Sequence, residues 1–177
     1  MKHYQFNQLR YFALEELDVH GNQIHWEDYD FHTLQEFDRL RHEIGSPCRL
    51  IRGGVDHDPE TLNKLTAIDA VFPGADYCVV IMALFRSGFS KGVYENGSVH
   101  LDDRMGPGGL ARCWMAFKEE RRQHIASMNL LELRSYNTDG WDYYHWSHPW
   151  AWDLLQYMVT LNKAKPQKKK KPTSVLT

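Results

Sequence analysis

His100 and Asp102 stand two residues apart in "GVYENGSVHLDDR", Gly92 to Arg104. An imidazole beside a carboxylate is the raw material of a metal centre or of general acid–base chemistry. In an extended strand, alternation sends Val99 and Leu101 to one face and His100 and Asp102 to the other. The Asn96-Gly97 pair predicts a tight turn, so the stretch reads as a hairpin whose second strand carries the pair. Two uses fit such a strand face: a solvated polar surface of a sheet, or a site. His-x-Asp alone is too short to choose between them.

The elements that must position this pair follow from hydrophobic spacing. In "DYDFHTLQEFDRLRHEIG", Phe31, Leu34, Phe37, Leu40 and Ile44 recur at helical intervals, and Gly45 stands where a helix closes. "CRLIRGG" reads as a strand running into a glycine turn, and "TAIDAVF" as a second, more buried strand. From Ala75 to Ser87 the set Ala75, Cys78, Val79, Met82 and Phe85 again has helical periodicity. The order helix, strand, strand, helix, strand, strand predicts an α+β fold with a small, mainly antiparallel sheet packed with helices. After "GPGG" a helix is expected from about Leu110 to Ile125, with Lys118, Glu119, Glu120, Arg121 and Arg122 on its wetter side. "GWDYYHWSHPWAWDLLQYMVTL" holds four tryptophans, three tyrosines and two histidines. Ser147 and Pro149 predict a helix start there, with Trp150, Leu154, Tyr157 and Leu161 as its apolar stripe. That cluster reads as core and packed lid, or as an aromatic platform for a sugar ring or base.

With 177 residues, 42% of them apolar and 13% aromatic, the chain can fill one core. Residues 1–162 are expected to form a single domain with an aromatic-rich C-terminal helical extension. Six of the 21 basic residues fall between Lys163 and Lys171, so the other fifteen against all 23 acids leave residues 1–162 at −8. Residues 163–177 read as a disordered lysine-rich tail able to make weak polyanion contacts through Lys168–Lys171. Such contact would be salt-dependent and indifferent to sequence. Cys48, Cys78 and Cys113 form no Cys-x-x-Cys pair, and each is expected as a small buried apolar residue. No stretch has the roughly 20 apolar residues of a membrane helix, and the first residues lack a secretion signal, which predicts cytoplasmic synthesis.

The order of pieces over residues 8 to 104 resembles the zinc D-Ala-D-Ala carboxypeptidase family with the Hedgehog-type peptidase fold, especially its short phage and bacterial cell-wall members. Phe12, Glu16 and Leu17 of "YFALEEL" match the opening Phe-x-x-x-Glu-Leu, "LQEFDRLRHEIGSPCRLIRGG" the helix and strand, Ala67 and Asp69 the Ala-x-Asp, and His100 and Asp102 the final His-x-Asp. The resemblance implies Zn²⁺ held by two histidines and an aspartate with a fourth position for water, and so assigns Asp69 and His100 as ligands.

The chain departs from the family pattern in its second histidine and glycine, its arginine and its general base. Seven residues before Asp69, where the other histidine belongs, stands Leu62, and the motif glycine is Leu65; His57, twelve residues before Asp69, is the nearest substitute. Among Asp56, Asp58 and Glu60, His57 also reads simply as a loop histidine. The arginine of Ser-Gly-Tyr-Arg is missing from Arg52-Gly53-Gly54-Val55. The general-base position three before the last histidine is Gly97, which leaves Asp102 or Glu95 for that task. Arg52 and Arg104 could hold a substrate carboxylate, or serve as surface arginines. The implied function is a phage-encoded zinc-peptidase-like protein acting on peptidoglycan peptides at lysis or in the virion. The alternative is a catalytically inactive member of the fold used as a binding or structural module.

Overall fold

The computed structural model describes residues 9–12, 28–53, 65–103, 107–128, 135–145 and 152–163. Helix α1 (Phe31–Ile44) starts at Asp30, whose carboxylate accepts from His32 N and Thr33 N, and ends at Gly45 in the left-handed region, φ 66°. Capping by the aspartate satisfies two otherwise orphaned N–H groups, and glycine takes the positive φ without a Cβ clash. Leu34, Phe37, Leu40 and Ile44 are buried, and Phe31 packs partly against them. Asp38, on the same helix, is also buried and accepts from the backbone N–H groups of Arg10, Tyr11 and Phe12 at 3.0, 2.9 and 3.1 Å. That carboxylate ties residues 10–12 to α1.

Strands β1 (Arg49–Gly53) and β2 (Ala67–Val71) come next, then α2 (Tyr77–Phe85), β3 (Ser90–Tyr94) and β4 (Ser98–Asp102). Strand β5 (Cys113–Lys118), a 3-10 turn over Glu119–Arg121, α3 (Arg122–Ser127), β6 (Ser135–Thr138), β7 (Trp141–His145) and α4 (Trp152–Lys163) complete the described elements. The strands form one mixed sheet of seven, in the order β1-β2-β4-β3-β5-β7-β6. The architecture is α+β, and the small, mainly antiparallel sheet is corrected to this larger mixed one: β5 runs parallel to β3, because the link after β4 crosses to the far side of its hairpin partner.

Alternation divides the sheet into two faces. Ile68, Ala70, Val93, Val99, Leu101, Met115, Phe117 and Tyr144 join the buried side chains of α1, α2 and α4 and Ile125 of α3 in one core. The other face carries Asp69, His100, Gly92 and Trp114, and it is the face of the candidate site.

Four further expectations change. The helix over Leu110–Ile125 is instead β5, a 3-10 turn and the short α3. "CWMAFK" is apolar at both parities because Met115 and Phe117 enter the core while Trp114 and Ala116 line the other face, so the pattern has no single period. In α2, Tyr77, Val80, Ile81, Ala83 and Leu84 are buried, whereas Val79, Met82 and Phe85 are exposed, the reverse of the predicted stripe. A helix apolar all round does not announce its inner face. The cysteines are half-buried rather than buried. In α4, Leu154 is buried with Leu155 and Met158, while Tyr157 and Leu161 pack at its edge. The Ser147–Pro149 start and Trp150 lie outside the described residues, as does the tail beyond Lys163. No helix among the described residues is long and apolar enough to cross a membrane.

Candidate functional site

Register brings the chemistry-bearing residues into line. Asp69 on β2 lies opposite His100 on β4, His100 opposite Gly92 on β3, Gly92 opposite Trp114 on β5, and Trp114 opposite His145 on β7. Residues directly opposite one another share a face and approach within about 5.5 Å between Cβ atoms. Asp69 and His100, 31 positions apart in the chain, therefore meet: Asp69 Oδ1 is 2.7 Å from His100 Nδ1. Asp102, two residues along β4 and hence on the same face, presents Oδ2 at 3.7 Å from His100 Nε2. The imidazole is thus flanked by carboxylates at both nitrogens.

His100 and Asp102 are 7% and 5% exposed, so the solvated-surface alternative for this strand face is overturned. Asp69 is the open member, its side chain 28% exposed. Burial alone would depress the His100 pKa, but hydrogen bonding and charge attraction from Asp102 and Asp69 outweigh it and raise it to about 9. Without a metal, the centre is an imidazolium between two carboxylates at neutral pH.

Trp114 closes the line on its β5 side. Its indole lies over Gly92, where a Cβ would fall 2.3 Å from both Cε2 and Nε1, and its ring centroid is 5.1 Å from that of His100 at 49°. Glycine is required at 92 for this contact and not for a turn. Gly92→Ala should therefore displace the indole and lower stability by about 1–3 kcal/mol, the usual range for overpacking, as read by urea unfolding. A loss below a few tenths would show that the indole yields freely. Beside it, Tyr94 packs edge-on to Trp141 and Tyr143 at centroid distances of 5.6 and 6.2 Å. Desolvation and the nearby Asp69 charge raise the Tyr94 pKa, which keeps its hydroxyl protonated. Lys118 Nζ sits 3.8 Å over the Trp141 ring at the far end of this aromatic strip.

The remaining candidates are placed differently. Glu95 spends its carboxylate elsewhere: Oε2 accepts from Lys118 N at 3.0 Å and faces Arg121 Nε at 3.5 Å. Lys118 is four residues beyond Trp114 on β5, about 13 Å along the strand, so Glu95 is not brought to His100. Arg52 is opposite Asp69 across a register shift in β1, which puts its backbone at the end of the line. His57 and Arg104 lie outside the described residues. Trp114, Tyr94 and Gly92 were not singled out from sequence, since Trp114 stood inside an expected helix; alternation in "CWMAFK" was the available signal.

For a zinc ion, the described residues supply two donors that face each other, Asp69 Oδ1 and His100 Nδ1, with Asp102 on the opposite edge of the ring. No group of three or more His, Cys, Asp or Glu side chains is placed to hold a metal ion among the described residues. A four-coordinate site would need a further protein donor from outside them. No protein-family model, curated protein or solved structure matches the chain.

Proposed function

We propose that the protein is a zinc-peptidase-like protein of the Hedgehog/D-Ala-D-Ala-peptidase type, phage-encoded and acting on the peptides of bacterial peptidoglycan. One observation carries this reading: Asp69 and His100, assigned as ligands from two separate motifs, meet at 2.7 Å on one sheet face. Asp69 Oδ1 and His100 Nδ1 would hold the metal together with His57. Bound there, Zn²⁺ supplies a water of pKa about 7 and polarises a carbonyl.

The chain's own residues then have defined tasks. Asp102, with Oδ2 3.7 Å from Nε2 of His100, would favour the N–H on that nitrogen by charge attraction and so leave Nδ1 as the donor to a metal, as carboxylate partners of ligating histidines do. Its place behind the ring makes it an orienting residue, and its assignment as general base is the weaker of its two roles. Arg52 and Arg104 are kept as candidates for a substrate carboxylate.

Metal analysis of protein purified without chelator or nickel resin tests this. One zinc per chain, abolished by His100→Ala and Asp69→Asn and accompanied by muropeptide cleavage, is expected. Absence of zinc after incubation with excess metal and desalting sinks it.

A second reading, an inactive binding or virion module, draws on the two carboxylates that already satisfy the imidazole without metal. It predicts no zinc, no cleavage, and a His100 that titrates near pH 9.

A further inference from the structure

Helix α2 is apolar on the side turned away from the core as well as on the side that faces it. Val79, Met82 and Phe85 are 43%, 46% and 38% exposed, half-buried Cys78 lies among them, and no charged residue stands between Asp76 and Arg86. A surface helix normally turns polar residues outward, and one that is apolar all round is buried on both sides. Two features say what covers the outer stripe. The stripe is its own complement: Val79 and Phe85 stand three residues before and after Met82, about 4.5 Å along the axis to either side. When a second α2 lies antiparallel across a two-fold axis at Met82, Met82 meets the partner's Met82 and Val79 comes level with the partner's Phe85. The flanking charges match in the same arrangement. Exposed Asp76 lies about 9 Å before Met82 and Arg86 about 6 Å after it, so Asp76 and the partner's Arg86 stand on one flank, about 3 Å apart along the axis. The Arg86 side chain is 64% exposed; its Nη1 holds Glu43 of α1, and a guanidinium has further N–H groups to give. Acids and bases balance around the stripe, Asp76 and Glu43 against Arg86 and Arg39, which suits a copy of the same surface rather than an anionic membrane.

We propose that the outer face of α2 is an isologous dimer interface, covered by the same face of a second copy of this chain. Val79, Met82 and Phe85 form its apolar centre, and Asp76 with the partner's Arg86 forms its polar rim. The stripe is small against the roughly 800 Å² per partner of a standard interface, so the dimer is a micromolar, concentration-dependent one, with α1 and α4, which both pack against α2, supplying the remaining contact. The inference is independent of the peptidase reading, because α2 packs on the core face of the sheet, across from Asp69 and His100.

Sedimentation equilibrium of the full chain in reducing buffer, from low to high micromolar concentration, tests this. The mass is expected to rise from one chain to two and stop there, since a two-fold contact closes on itself. Met82→Lys sets two ammonium groups against each other at the axis and should weaken the dimer about a hundredfold or more. Its urea midpoint under monomeric conditions should match that of the unmutated chain, because Met82 lies outside the core. Mild oxidation supplies a second readout that does not depend on that variant. Met82→Cys should form a disulfide between chains, whereas the two copies of native Cys78, about 12 Å apart along the axis, should not. A chain that stays monomeric throughout overturns the proposal. So does a dimer that Met82→Lys leaves intact, one that links through Cys78 in preference to Met82→Cys, or a mass that climbs past two.

Discussion

Chelator-treated protein carrying His100→Ala unfolds at a lower urea concentration than the unmutated chain, with about 3 kcal/mol less stability. The reason is what the substitution leaves behind. Asp102 is 5% exposed and loses the positive ring that faces it at 3.7 Å; Asp69 loses its 2.7 Å partner. Removing one member of a buried ion pair costs about 3–5 kcal/mol, because the surviving charge stays desolvated after losing its counter-charge. The partial exposure of Asp69 sets the expectation at the lower end. A cavity beside Trp114 acts in the same direction. Adding Asp102→Asn to His100→Ala should recover part of the loss, since the neutral amide no longer needs a counter-charge. Non-additivity between the two substitutions is the signature of the network. Chemical unfolding with an unchanged slope against urea is the appropriate measurement. A loss of under about 1 kcal/mol would place the trio in the class of exposed ion pairs and remove the electrostatic basis of the site.

The parts of this arrangement that sequence made legible are those in which one periodicity has one cause. Leu34, Phe37, Leu40 and Ile44 repeat because one side of α1 is buried, and Asp30 and Gly45 mark its ends through local backbone chemistry. His100 and Asp102 share a strand face by alternation alone, and the Asn96-Gly97 turn fixed where the hairpin reverses. Legibility failed where both faces of an element are covered. Tyr77–Phe85 is apolar around its whole circumference, so spacing could not tell Val80 and Leu84, which are buried, from Val79 and Met82, which are not. Cys113–Lys118 is apolar at both parities, and it therefore resembled a helix while being a strand paired on both sides. That error hid Trp114, the residue that roofs Gly92 and touches the His100 ring. Glu95 illustrates a further limit. Its sequence position near the hairpin turn suited a general base, but a long-range bond to the Lys118 backbone, 23 residues away, claims its carboxylate. No local pattern encodes such a contact.

Between pH 6.5 and 9, the chelator-treated protein should lose stability as pH rises. The His100 pKa is about 9 in the folded chain, against about 6.5 for an unperturbed histidine. The folded state therefore holds the proton more tightly. Its stabilisation is complete below pH 6.5, declines across the window and is gone above about 9. The span corresponds to roughly 3 kcal/mol at the conversion of 1.36 kcal/mol per unit, and the ring's burial leaves little solvent to screen it. Lys91 acts in the opposite sense, because desolvation lowers its pKa and the unfolded chain then binds the proton more tightly. His100→Gln should abolish the falling slope. A flat profile in the unmutated protein would show that Asp69 and Asp102 do not hold the imidazolium. Saturating zinc should reverse the sign, since metal takes the place of the proton on Nδ1 and the affinity of a histidine site grows as that proton leaves. Stability falling with pH without zinc and rising with it is the behaviour of a metal site assembled from Asp69 and His100. Stability falling in both conditions is that of a sheet held together by a buried imidazolium, and the contrast separates the two readings without any assay of cleavage.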